Sequence, residues 1–123
     1  MFVFLRNTKI VFIFAASLIE NSMDDEIIIA QEQLARFAKA LGHPIRIAIM
    51  RLLAKNTCYY HGAMAEKLPI ANSTLSQHLK ELKAAGLIFQ ETITLPSIKY
   101  CIHRKNWELA KRLFDDLYIE ISK

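Results

Sequence analysis

Residues 73–85 constrain this chain more than any other stretch. Leu75, Leu79 and Leu82 recur at spacings of four and three. On a helix turning about 100° per residue, that keeps both later leucines within about 40° of Leu75. Ser73, Ser76, Gln77 and Lys80 fall on the far side, with no carboxylate among them. Glu81 lies away from the centre of that face, while Thr74 and His78 flank it, suited to phosphate contact or to partial burial. Gly86 follows, where a left-handed residue can close a helix. Upstream, residues 63–68 form a short helix ended by Pro69, and a four-residue turn joins the two. Such a pair must bury its leucine side and present an acid-free polar side to its surroundings.

The rest of the chain supplies what that pair needs to pack against. Ile27, Ala30, Leu34, Phe37, Ala38 and Leu41 form one helical stripe, and Ile45, Ile49, Leu52 and Leu53 a second. Gly42 and Pro44 separate the two helices, with Pro44 placed for the first turn of the second. Beyond Gly86, Leu87, Phe89 and Ile93 alternate, a turn falls at Leu95, Pro96 and Ser97, and Ile98, Tyr100 and Ile102 alternate on a returning strand. A final helix carries Trp107, Ala110, Leu113, Phe114, Leu117, Tyr118 and Ile121 on its apolar side. The expected order is helix, helix, short helix, helix, hairpin, helix. That is a mainly α chain with a small β-hairpin: a winged helix-turn-helix with helical elements at both ends.

At 123 residues the chain holds one domain, or one with a tail. With 53% hydrophobic residues it can fold, but its core is limited, so dimerisation would help to stabilise it. Three glycines, three prolines and two cysteines exclude a collagen-like or disulfide-stapled secreted chain. Residues 36–112 hold thirteen Lys or Arg against four acids, and the remaining acids lie nearer the ends. A basic centre between acidic ends fits a polyanion partner.

Residues 1–22 differ from the rest. Arg6 and Lys9 precede an uncharged apolar run over residues 10–19. The run is too short for a membrane span, which needs about 20 residues, and no cleavage site follows it. We expect a start placed too far upstream, with Met23 opening the single domain, residues 23–121. An extra partner-facing arm and an export signal or anchor are the competing readings. Only an anchor would bring in a membrane.

The polar face suits double-stranded DNA. Glutamine pairs bidentately with adenine, serine reaches base edges or phosphate, and lysine suits phosphate or guanine. The expected contacts are Ser73, Thr74, Ser76, Gln77, His78, Lys80 and Lys83 on this helix, with Arg46 and Lys99 beside it.

Two runs extend that reading. Leu41-Gly42-His43-Pro44-Ile45-Arg46 resembles the Leu-Gly-x-Pro-x-Arg element of ArsR/SmtB-type winged-helix repressors. The run from Ser73 through Gln77, Leu82 and Gly86 to Ile88 resembles their recognition helix and first wing strand. The resemblance covers about residues 33–111. It implies a cytoplasmic homodimer that represses transcription from a near-palindromic operator. Two recognition helices would then sit about one DNA turn, roughly 34 Å, apart. The first and last helices would build the dimer interface, through Leu34, Phe37, Leu41, Trp107, Leu113, Phe114 and Leu117.

The family's sensor sites are not matched. Its Cys-x-Cys pair aligns with Tyr60 and Gly62, and its final-helix metal site needs histidines where this chain has only Asp115, Asp116 and Glu120. Cys58 and His61 offer two soft ligands where a structural zinc site takes four. No metal and no cofactor are expected. Nothing in the spacing brings Cys58 and Cys101 together, so both read as small packing residues, with a thiol-based sensor as the alternative. His43 and His103 read as structural or phosphate-facing. The wing tip offers only Lys99, which favours a backbone contact over groove insertion. A winged helix used for protein contact is the main competitor. No nucleophile, base and orienting group recur at catalytic spacing and no glycine-rich phosphate loop is present, so no catalytic residue is expected.

Overall fold

The computed structural model describes residues 22–94 and 97–123. The proposed extension, apart from Ser22, and the wing tip at Leu95 and Pro96 lie outside the described residues. The chain divides into two compact units, Met1–Gln33 and Leu34–Lys123. Of the first, the described part is helical and leaves Ile27 and Ile29 exposed. The second carries the hydrophobic core.

Helix α1 is Ser22–Ala40, with Asp24 and Asp25 in its first turn and Lys39 in its last, each opposing the nearer end of the helix dipole. Helix α2 is Pro44–Asn56. His43 caps it, its Nδ1 accepting from the Ile45 N–H at 3.1 Å, and Pro44 takes the first turn as expected. Strand β1 is Cys58–Tyr60, helix α3 His61–Lys67 and helix α4 Asn72–Ala84. Strands β2, Ile88–Thr94, and β3, Ser97–Ile102, make the wing. Helix α5 is Arg104–Ser122, capped by His103, whose Nδ1 accepts from the Asn106 N–H at 3.3 Å. Both histidines that sequence reading left between structural and phosphate-facing roles are therefore helix caps. Among the described residues no helix is long and apolar enough to cross a membrane.

The expected two-stranded hairpin is a three-stranded antiparallel sheet, in the order β1-β3-β2. Its added member, β1, has three residues, pairing Cys58 with Cys101, Tyr59 with Tyr100 and Tyr60 with Lys99. Three residues are too few to display an alternation, so only the partner strand reveals this one.

The core gathers Phe37 from α1, Ile49 and Leu53 from α2, Met64 from α3, Leu75, Leu79 and Leu82 from α4, Leu87 and Ile88 at the start of the wing, and Ala110 from α5. The three α4 leucines are 0% exposed. Burying each contributes about 1.5–3 kcal/mol, which fixes the rotation of α4 about its axis. The end of α4 is fixed separately. Gly86, at φ +84°, donates to Lys83 O at 3.0 Å, and Leu87 donates to Leu82 O at 3.1 Å. These two bonds are the Schellman pattern, and they turn the chain directly into β2.

One expected interface residue, Phe37, is placed differently. Phe37 is 1% exposed inside its own subunit, so it has no surface to offer a partner. Leu41 is half-buried against the same core. The stripe on α1 is broad enough to serve the subunit's own core, and spacing alone does not say which surface covers it.

Candidate nucleic-acid interface

Because the leucines of α4 point inward, Ser73, Thr74, Ser76, Gln77, Lys80 and Lys83 stand exposed. Helix α3 braces this one from the side of the turn. His61, the first residue of α3, lies with Nε2 3.2 Å from Ser76 Oγ, a hydrogen bond between brace and exposed face. Gln77 donates from Nε2 to Glu81 Oε2 at 3.1 Å, which sets the direction of its amide. Lys83 donates to Gln90 Oε1 at 3.0 Å and so ties the end of α4 to β2. The Lys80 ammonium makes no hydrogen bond or ion pair among the described residues.

A groove runs between α4 and the sheet. Ser76, Lys80 and Lys83 line part of it, with Tyr100 of β3 opposite. Next to it, an open hollow of about 540 Å³ brings Tyr60 and His61 up to Ser76 and Tyr100. Burial pushes the Tyr100 phenol above its ordinary pKa, so this wall stays uncharged. Lys99, on β3, sits 3.8 Å from a Glu91 carboxylate oxygen and 5.6 Å from the centre of the Tyr60 ring. Its charge is shared within the sheet, although its side chain keeps 23% of its exposure.

Two expected DNA contacts, His78 and Arg46, are engaged within the subunit. His78 is 7% exposed and faces the interior, not the solvent. Its Nδ1 accepts from Arg46 Nε at 3.1 Å, and its ring lies 4.4 Å from that of His43. Burial first, then His43 and the Arg46 cation, hold this imidazole below its ordinary pKa, against a smaller upward pull from Glu81. A neutral imidazole is what an acceptor Nδ1 requires. Arg46 also donates through its Nη1 to Lys39 O at 3.4 Å and Ala40 O at 3.3 Å. It therefore joins the last carbonyls of α1 to α4. The physical reason is its reach: a long fork on α2 spans from the end of α1 to the ring of His78.

Sequence reading missed His61, Tyr60 and Tyr100 at the groove. None sits in the amphipathic pattern of α4, and all three are placed by β1 and its pairing. The same strand overturns the separation expected of the cysteines, since Cys58 and Cys101 are bonded to each other across β1 and β3. With Glu91 they form a group of ligand-type side chains whose donor atoms lie within 4.8 Å. The disulfide uses both sulfurs.

A braced helix with one buried and one exposed polar face, set beside a small sheet, defines a winged helix-turn-helix protein. A family profile described as a helix-turn-helix domain matches residues 41–90. An uncharacterized HTH-type transcriptional regulator of Methanocaldococcus jannaschii is 37% identical over 86 residues, which is 70% of this chain and 96% of that protein. The structure of an ArsR-like transcriptional regulator from Rhodococcus sp. RHA1 matches with a TM-score of 0.64 and 22% identity, over 75% of this chain and 85% of that one. A possible transcriptional regulatory protein (fragment 1–100) from Mycobacterium bovis matches with a TM-score of 0.57 and 27% identity, over 76% and 95%. The chain belongs to the HTH-type transcriptional regulators, and its fold is that of the ArsR-like structure.

Proposed function

We propose that this chain is a cytoplasmic homodimeric repressor that reads a near-palindromic operator by inserting α4 into the major groove. One observation carries the reading: Ser73, Thr74, Ser76, Gln77, Lys80 and Lys83 of α4 stand exposed while its three leucines have 0% exposure. Gln77 would read a base, Ser73, Thr74 and Ser76 would meet base edges or phosphate, and Lys80 and Lys83 would face the backbone. Lys99 would touch the backbone from the wing. Self-association is supported by α5, which leaves Leu117 41%, Tyr118 72%, Ile119 55% and Ile121 73% exposed. Trp107, Leu113 and Phe114 are half-buried against the core of their own subunit and would lend only their outer surfaces.

The test uses duplexes selected from random DNA by the chain itself. Gln77→Ala should lose about 1–3 kcal/mol on the preferred duplex and little on unrelated DNA. Lys80→Ala should weaken binding to all duplexes alike and reduce the salt slope by about one. If both variants bind every duplex as the parent does, α4 is not the reading element.

A further inference from the structure

Cys58 and Cys101 face each other across two strands, with Cα atoms 4.0 Å apart, yet their surroundings are unequal. Cys101 is 1% exposed on the central strand, and a Glu91 carboxylate oxygen lies 3.6 Å from its sulfur. Cys58 is half-buried on the edge strand, and Arg104 donates to the hydroxyl of its neighbour Thr57 at 3.2 Å. An attacking thiol must be reachable and must carry negative charge. Glu91 lies within 4.8 Å of both sulfurs and does not separate them, so reach decides: burial closes Cys101 to an incoming disulfide, whereas the edge position leaves Cys58 half-buried and reachable.

The bond also has a definite place in the chain. The two cysteines stand 43 positions apart, and the loop between them holds α3, α4, β2 and most of β3, the elements that build the proposed DNA surface. One end leads through Tyr60 straight into His61, which holds Ser76 of α4. The other end is followed back along β3 by Tyr100 at the groove and then by Lys99. Closing that loop restrains the brace and the wing relative to each other.

We propose that Cys58 and Cys101 form a thiol-exchange site for a low-molecular-weight disulfide of the glutathione type, and that their bond sets the affinity of α4 for DNA. The second half rests on the DNA-binding reading above. In the reduced chain the Cys58 thiolate attacks one sulfur of the small disulfide. That S–S bond breaks, one small thiolate leaves and takes up a proton, and a mixed disulfide remains on Cys58. Cys101 then loses its proton to solvent as its sulfur attacks the Cys58 sulfur, and the second small thiol departs. The protein has lost two electrons and two protons, and the small disulfide has become two thiols. Excess small thiol runs the sequence backwards. Small thiols and disulfides make and unmake a protein disulfide by exchange through a mixed disulfide. The oxidised chain, its loop closed, holds brace and wing ready and binds DNA more tightly; the reduced chain must order them on binding.

The experiment takes the full chain through buffers of oxidised and reduced glutathione. It reads thiol state by mass after alkylation, and DNA affinity by fluorescence anisotropy on a duplex selected by the oxidised chain. Cys101→Ser and Cys101→Ala should each trap one glutathione on Cys58, the alanine variant guarding against any effect of burying a hydroxyl. Cys58→Ser should trap none over the same period. The reduced parent should bind DNA weaker by about threefold or more, and Cys58→Ser should bind like it whatever the buffer. A disulfide that survives hours in excess reduced glutathione overturns the exchange. So does equal trapping on Cys101. Equal affinities in the two states overturn the coupling. If neither state binds any duplex, the DNA reading falls and takes the coupling with it, while the mass measurement still decides the exchange site.

Discussion

Gly86→Ala tests how the reading helix is held. Gly86 sits at φ +84°, and a Cβ built there would lie 2.7 Å from Asn106 Nδ2. That nitrogen cannot simply swing away, because it donates to Gly86 O at 2.8 Å. Two costs follow. Forcing an L-residue into the left-handed region costs about 1–2 kcal/mol. Displacing the Asn106 amide gives up a hydrogen bond of about 1 kcal/mol. The variant should therefore lose about 2–3 kcal/mol in urea unfolding, measured at one chain concentration because association would add its own term. In an Asn106→Ala background the amide is already absent, so the same substitution should cost only the backbone share, about 1–2 kcal/mol. A loss below about 0.5 kcal/mol in the parent refutes the conformational argument. An equal loss in the two backgrounds refutes the contact with Asn106.

The other predictions separate structural from DNA-facing roles. Arg46→Met should cost about 1–3 kcal/mol of stability, by stranding His78 Nδ1 and withdrawing the donor to Ala40 O, and should leave the salt slope of DNA binding unchanged; a slope flatter by about one returns Arg46 to the phosphates. His78 has a folded-state pKa below its ordinary value of about 6.5, so above that pH both folded and unfolded chains carry it neutral. Below it the unfolded chain binds the proton first, and stability falls with pH until the folded pKa is reached. His78→Gln should show a shallower decline over that window, and an unchanged or steeper one removes His78 as its source. Ile121→Asp and Leu117→Asp alter exposed side chains of α5 and should halve the sedimentation mass without unfolding the subunit; an unchanged mass rules this face out of the dimer.

Helical features were open to reading from residue order. The Leu75, Leu79 and Leu82 spacing, the stop at Gly86 and the start at Pro44 all agree with α2 and α4 as they stand, because helix contacts span three or four positions and neighbouring residues carry them. The acid-free face of α4 follows from the same rule. His78 marks where the rule stops. Its flanking position allows burial or phosphate contact, it stands among the expected DNA contacts, and its burial beside Arg46, 32 positions away, is a matter of the fold.

What residue order determined by itself, then, is where the helices fall, the start at Pro44, the stop at Gly86 and the polar face that α4 turns outward, since a helix is made from bonds between near neighbours. The fold alone decided that Cys58–Tyr60 is a strand, that Cys58 meets Cys101, that Tyr100 and His61 join the groove, and that Phe37 and His78 are interior. Each of those depends on a partner far along the chain. A strand's hydrogen bonds and a side chain's burial exist only once that partner has arrived, so no local pattern records them.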